Sequence, residues 1–117
     1  MAAPPVDTLP LSVAVFQILL SLVDQDLHGY AIIKDIEART AGEVQLTAST
    51  LYGAVSRLLE GGLIDERPVE LGQERRRSYR MTREGRTLVR REAERLARSA
   101  GWAADKRLLP QPRGVRP

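Results

Sequence analysis

The spacing of apolar residues along the chain predicts two helices at its beginning. Apolar side chains surround most of a first helix over about residues 11–24. A helix that is apolar nearly all round must be covered on several sides, so we expect a second subunit to cover part of it. A second helix follows over about residues 30–39, with a stripe of three isoleucines (Ile32, Ile33 and Ile36) that faces the core.

The third helix has the clearest boundaries in the sequence. Thr47 is a favourable N-cap for a helix over residues 48–60, and Gly61 and Gly62 end it. Its apolar residues recur at spacings of three and four on one side, while the opposite side carries small, polar and nearly uncharged residues. Such a side suits close approach to a groove of DNA.

Two short runs, residues 63–67 and 78–81, predict the strands of a β-hairpin. The polar segment between them ends in three consecutive arginines. Thr82 then caps a fourth helix over about residues 83–107, in which apolar residues repeat at alternating spacings of four and three. That repeat predicts a coiled-coil seam of Val89, Ala93, Leu96, Ala100 and Ala103.

This order of elements predicts a mainly α fold, with a winged helix-turn-helix of three helices and a two-stranded β-hairpin wing, followed by a C-terminal dimerisation helix. Both ends of the chain contain several prolines. We expect a flexible N-terminal arm over residues 1–10, a DNA-binding domain over 11–82, the dimerisation helix over 83–109 and a disordered tail over 110–117.

Charge is distributed unevenly along the chain, within a net charge of +3. Residues 1–66 carry three basic and nine acidic side chains, whereas residues 67–98 carry eleven arginines and five glutamates. A basic segment of this kind indicates a face that binds a polyanion, and a solvated basic helix is the alternative interpretation.

The composition excludes several kinds of site. The chain has no cysteine, and His28 is its only histidine, so neither a metal site nor a catalytic base has the partners that it needs. We therefore expect no catalytic residue, no metal and no cofactor, and a protein that is not an enzyme. The longest apolar stretch is too short to span a membrane and no basic leader precedes it, which favours a cytoplasmic protein without a membrane partner.

Several short segments form a pattern through their order and spacing, although none is specific alone. They are Leu27-His28-Gly29-Tyr30, Thr50-Leu51-Tyr52, Arg57-Leu58, Gly62-Leu63-Ile64, and the run from Arg75 to Thr82 with Gly85. With these segments the chain resembles the PadR-like transcriptional regulators over about residues 9–100, in particular the smaller subgroup with a single C-terminal helix. It departs from the family at Ser78, where a second aromatic is common, and at Gly53, where larger or charged residues are common.

The resemblance implies a DNA interface in which the third helix enters a major groove and the wing lies beside it. Tyr52 resembles the tyrosine that family members place against the DNA backbone. The alternative is that Thr47 only caps the helix and that Tyr52 packs beneath the wing. Strand alternation allows at most two of the three wing arginines to face one ligand. The predicted DNA-binding residues are Thr47, Ser49, Thr50, Tyr52, Gly53, Ser56, Arg57, Gln73, Arg75, Arg76 and Arg77.

The resemblance also implies a ligand site between subunits. In the smaller subgroup, a tryptophan on the terminal helix lines a pore between subunits and stacks on flat aromatic molecules, and Trp102 stands at a similar place. A small aromatic effector would then bind Trp102, with Phe16 and Gln17 as neighbours. A tryptophan that only packs in the dimer interface is the alternative. The predicted dimer interface consists of Val13, Phe16, Leu20, Val89, Ala93, Leu96, Ala100 and Ala103.

The predicted function is that of a DNA-binding transcriptional regulator. It is a repressor that binds an inverted-repeat operator as a homodimer and is released by a small aromatic effector. A winged-helix module that binds another protein, without sequence-specific DNA binding, is the alternative. Salt distinguishes the two, because phosphate contacts release counterions and weaken steeply as salt is added.

Overall fold

The structure, a computed structural model, describes residues 6–68 and 77–110, and within these residues all four predicted helices form. At the start of each helix, an N-cap side chain accepts a backbone N–H that would otherwise lack a partner in the first turn. The helices are α1 (Val13–Ser21, capped by Ser12), α2 (Gly29–Arg39, capped by His28), α3 (Ala48–Glu60, capped by Thr47) and α4 (Arg83–Asp105, capped by Thr82). The bounds of α3 are those predicted, and α1 is shorter than predicted at both ends.

A small antiparallel sheet has one strand more than the sequence predicts. Its strands, within the described residues, are β1 (Leu27–His28), β2 (Ile64–Pro68) and β3 (Arg77–Met81), in the spatial order β1-β3-β2. β2 and β3 form the predicted hairpin, and β1 places Leu27 opposite Tyr79 and His28 opposite Ser78. The predicted two-stranded wing is therefore present, and β1 adds a third strand to its sheet. A strand of two residues is too short to show an alternating pattern, and only its pairing with a distant segment defines it.

The core lies between the first three helices, the sheet and the start of α4. Its largest fully buried apolar side chains are Ile18, Leu19, Ile32, Ile36, Leu51, Leu58 and Ile64. Burial of one such side chain contributes about 1.5–3 kcal/mol to folding. In the segment that was expected to be a loose arm, Val6 and Leu9 pack against this core.

The helix α1 lies antiparallel to the first part of α4. At one end the backbone N–H of Leu11 donates to Oε2 of Glu92 (3.0 Å), and at the other Nη2 of Arg86 donates to the carbonyl oxygen of Val23 (2.8 Å). Glu92 is the last buried residue of α4. The remainder of the helix, residues 93–105, therefore continues beyond the core of its own chain, and we call it the α4 extension. The molecule is correspondingly elongated, with extents of 55 × 31 × 26 Å.

Candidate nucleic-acid interface

The helix α3 presents two sides of opposite character. Leu51, Ala54, Val55 and Leu58 are buried and attach the helix to the core. The part of the predicted interface that lies on or beside α3 is exposed to solvent throughout. It consists of Thr47, Ser49, Thr50, Tyr52, Gly53, Ser56 and Arg57. Because the apolar side anchors the helix, the outer side is free to enter a groove without any change in the core.

The start of α3 is ordered by two threonines. The hydroxyl of Thr47 accepts the N–H of Thr50 (3.1 Å) and donates to the hydroxyl of Thr50 (3.0 Å). These bonds fix the first turn. The N–H groups of Ala48 and Ser49 in this turn have no acceptor within the helix and point towards its N-terminal end. Thr47 thus acts as a cap at an exposed helix end.

Tyr52 lies at the junction of α3 and α2 and is 49% exposed. The outer end of its ring contacts Gly29, the first residue of α2. It also lies close enough to Tyr79 of β3 to affect that side chain electrostatically, although burial is the main cause that raises the pKa of Tyr79. Tyr52 therefore packs against the start of α2 with the outer end of its ring, and about half of its surface remains exposed to solvent.

Two residues of α2 adjoin this surface and are absent from the sequence-based prediction. Tyr30 is 62% exposed, and Nζ of Lys34 lies 5.4 Å from the centre of its ring, a cation–π arrangement. Both are exposed on α2, the helix whose first residue, Gly29, contacts Tyr52. An aromatic residue on the polar side of an amphipathic helix was the signal in the sequence that would have indicated them.

The structure describes both strands of the wing, β2 and β3. Nη1 of Arg77 donates to Oε1 of Glu66 (2.9 Å), and this exposed pair raises the pKa of Arg77. Arg80 forms a bidentate pair with Asp26 (2.9 and 3.2 Å), which ties β3 to the segment before β1. Three predicted wing residues, Gln73, Arg75 and Arg76, lie outside the described residues.

The three predicted effector-binding residues are not brought together within one chain. Trp102, on the α4 extension, is 65% exposed. It lies ten residues, or about 15 Å, beyond Glu92 at a rise of ~1.5 Å per residue. Phe16 is half-buried on α1, beside the earlier part of α4. Gln17 is turned towards α2, where its Oε1 and its backbone carbonyl accept from Nη2 of Arg39 (2.8 and 3.0 Å).

The residues of the predicted dimer interface likewise do not all lie on one accessible surface of the chain. Val89 is only 5% exposed and belongs to the core of its own chain, so the accessible part of the seam begins at Ala93. A heptad pattern cannot distinguish packing within a chain from packing between chains, which explains this difference. Beyond Val89, Ala93, Leu96 and Ala100 are exposed, as is Val13 on α1. Phe16, Leu20 and Ala103 are half-buried.

The described residues contain no group of three or more histidine, cysteine, aspartate or glutamate side chains that could hold a metal ion. No helix in the same part of the chain is long and apolar enough to cross a membrane.

The winged-helix arrangement, with a polar outer side on its third helix, defines a class of regulatory proteins. The model of the family described as "Transcriptional regulator PadR-like family" matches residues 18–91. The chain therefore belongs to the PadR-like family of transcriptional regulators, a family of regulators and not of enzymes. This confirms the resemblance and the winged-helix fold class.

Other known proteins are similar to this chain. An uncharacterised 37.1 kDa protein in transposon TN4556 of Streptomyces fradiae is 42% identical over 84 residues. Those residues are 72% of this chain but 23% of that protein, so the chain spans about a quarter of its relative's length. The structure of a transcriptional regulator from Clostridium thermocellum superposes with a TM-score of 0.68 at 30% identity, over 80% of this chain and 90% of the other.

A second solved structure shares the fold at lower sequence identity. It is PadR of Bacillus subtilis in complex with operator DNA, with a TM-score of 0.62 and 22% identity, covering 92% of this chain and 55% of the other.

Proposed function

We propose that this regulator binds double-stranded DNA as a homodimer and represses transcription by occupying an inverted-repeat operator. The observation that carries the proposal is the exposed side of α3, which is polar, almost uncharged and anchored from behind by buried apolar residues. The family supports it, since its Bacillus subtilis member was solved with operator DNA. A DNA-binding role is in keeping with the cytoplasmic location expected from the sequence.

In this proposal the outer side of α3 reads base edges in the major groove. Ser49, Thr50, Ser56 and Arg57 offer hydroxyl and guanidinium groups, and Gly53 allows close approach of the helix. Thr47 and Tyr52 contact phosphates. Of the wing arginines, Arg75, Arg76 and Arg77, at most two neutralise phosphates beside the helix, and Gln73 adds a neutral hydrogen-bonding side chain. The first helix of such a motif crosses the DNA backbone, and we therefore add Tyr30 and Lys34 to the phosphate contacts.

The α4 extension supports the homodimer. It exposes an apolar row within an otherwise charged helix, and α1 exposes Val13 at the end that lies beside Glu92. A second copy would cover both, with residues 11–82 of each chain forming the DNA-binding domain and residues 83–109 the dimerisation helix. A two-fold dimer of this kind presents two recognition helices about one DNA turn (~34 Å) apart, which matches an inverted repeat.

A small aromatic effector would bind between the subunits. Trp102 lies about 15 Å beyond the level of Glu92, and we assign its neighbours in the ligand site to the second chain. Trp102 of one subunit and Phe16 of the partner subunit would enclose the ligand. Gln17 would join them only after releasing Arg39. Binding would favour a spacing of the two α3 helices that no longer matches the operator.

Selection of binding sequences from randomised duplexes, followed by fluorescence anisotropy with a salt series, tests the proposal. We expect the selected duplexes to converge on an inverted repeat and to be bound far more tightly than a scrambled duplex. The logarithm of the affinity should fall steeply with the logarithm of the salt concentration. Failure to converge, with equally weak binding to all duplexes, would favour the alternative of a protein-binding module.

A further inference from the structure

The helical backbone at position 29 does not require a glycine. Gly29 is the first residue of α2 and has an ordinary helical backbone conformation. Any L-residue tolerates that conformation, and glycine is a poorer helix former than all common residues except proline. The backbone of α2 therefore gives no reason for a glycine, and the reason has to lie in the space where a side chain would begin.

That space is occupied by Tyr52. A Cβ atom built on Gly29 would lie 2.7 Å from Cζ and 3.0 Å from Cε1 of Tyr52, and closer still to the hydroxyl oxygen. Ordinary contacts between carbon atoms are about 3.5–4.0 Å. All three nearest atoms belong to the outer end of the tyrosine ring. The ring and any side chain at position 29 thus exclude each other.

Other glycines of the chain show how specific this contact is. A Cβ atom on Gly53 or Gly101 would meet nothing within 4 Å, whereas one on Gly85 would overlap the backbone carbonyl of Leu63. Backbone cannot move aside without disturbing the fold. At Gly29 the obstacle is instead the end of a half-exposed side chain, which can rotate into solvent. A side chain at position 29 would therefore displace Tyr52 and leave the fold in place.

We infer that Gly29 is a positioning residue for DNA recognition: it keeps the ring of Tyr52 against the start of α2. There Tyr52 lies beside the first turn of α2, which also carries the exposed Tyr30. The inference rests on the proposed function, because it requires that Tyr52 contacts DNA.

A double-mutant cycle of Gly29→Ala and Tyr52→Ala tests the inference. Affinity for a selected operator duplex is measured by fluorescence anisotropy and Tm by circular dichroism. We expect each single variant to bind about 10²-fold more weakly, the loss of one hydrogen bond to a charged group in each of the two subunits. The double variant should bind no more weakly than Tyr52→Ala alone, because Gly29 acts only through the tyrosine. Gly101→Ala, the same change at an open helical position, should leave affinity unchanged.

A stability readout separates positioning from a purely structural role. In the Tyr52→Ala background the new methyl group has room, so Gly29→Ala should raise Tm, since alanine is the better helix former. In the wild-type background the ring must move first, and Tm should not rise. Fluorine NMR of 3-fluorotyrosine protein reports the ring directly, and the Tyr52 signal should become more solvent-exposed in Gly29→Ala.

The outcomes distinguish the inference from the function on which it rests. Normal operator binding by Tyr52→Ala would remove the proposed DNA contact of Tyr52 and the inference with it. Weak binding by Tyr52→Ala together with normal binding by Gly29→Ala would overturn the inference alone. Losses that add in the double variant, or a lower Tm in both backgrounds, would show that Gly29 acts independently of Tyr52 and would also overturn it.

Discussion

The carboxylate of Glu92 is buried at the point where the start of α1 lies beside α4. It is 2% exposed and accepts the N–H of Leu11 as well as two donors of the Arg95 guanidinium. The hydrogen bond from Arg95 is the main cause that holds the pKa of Glu92 below its usual value. The group thus remains ionised while it attaches the N-terminal segment to α4.

Replacing this carboxylate should give a pH-dependent loss of stability. The folded-state pKa is depressed, so the stabilisation is fully present above the unfolded-state pKa of about 4.3 and is lost as the pH falls through the lower folded value. At pH 7 we expect Glu92→Gln to lower the free energy of unfolding by about 1–3 kcal/mol. The difference from wild type should shrink in acid.

Urea unfolding at neutral and acidic pH, at one protein concentration, measures this difference. Glu94→Gln is the matched control, because Glu94 is exposed on the same helix and has no ion pair among the described residues. It should change stability by less than about 0.5 kcal/mol. A difference in unfolding free energy between Glu92→Gln and wild type that stays the same at every pH would contradict a role for the charge of Glu92.

Gly85 offers a second test at the scale of one residue. It is buried in the first turn of α4, where a Cβ atom would lie 3.0 Å from Cγ of Met81 and would overlap the carbonyl of Leu63. Since that carbonyl also accepts the N–H of Thr82 (3.1 Å), it cannot move freely. Gly85→Ala should therefore destabilise the fold by about 1–3 kcal/mol, as measured by thermal unfolding. An unchanged Tm would show that the junction has room to adjust.

Among the elements, those with local signals were predictable and those defined by distant partners were not. The bounds of α3 follow from Thr47, Gly61 and the apolar spacing, all of which lie within the segment. β1 exists only because it pairs with β3, and no pattern within two residues could reveal it. The burial of Val89 likewise depends on where α1 lies, which the repeat along α4 does not contain.

In the candidate site, too, the residues with a local signal were predictable and those defined by distant partners were not. The exposed residues of α3 were identified from one helix, because helical periodicity separates the buried side from the outer side. Gly29 contacts Tyr52 only through the packing of α2 against α3. That contact is a property of tertiary structure, which the pattern within one helix does not contain.

The contribution of α2 as an element can be measured through Lys34. If it contacts a phosphate, Lys34→Gln should weaken binding to all sequences alike and reduce the salt slope by about one for each subunit. Lys106→Gln is the control, since Lys106 is the other lysine of the chain and lies at the end of α4. A selective loss for the operator alone would instead indicate that Lys34 reads bases.

At the scale of the whole molecule, the α4 extension determines the predicted assembly. Leu96→Glu would place like charges opposite each other in the seam, so we expect a monomer by sedimentation velocity at micromolar concentration. Operator affinity should fall by about 10²-fold or more as the two half-sites become uncoupled. Trp102, the only tryptophan, should report the change as a red shift of its emission.

The control for Leu96→Glu introduces the same side chain on the solvent side of the helix. Arg98 is exposed and lies two residues further, about 200° around the helix from Leu96. Arg98→Glu should leave the dimer intact. Dissociation by both variants would mean that added negative charge, and not the seam, controls assembly.

The antiparallel contact of α1 with the first part of α4 makes the rest of that helix a lever. The core holds α4 only as far as Glu92, while the molecule measures 55 Å along its longest axis. The α4 extension is about 20 Å long at a rise of ~1.5 Å per residue, so a tilt of about 10° at Glu92 displaces its far end by about 3–4 Å, and rigid-body rotation amplifies small local shifts in this way. That displacement is about a tenth of a DNA turn of ~34 Å. A change of tilt in a joined pair would therefore alter the spacing at which the two halves of an operator are met.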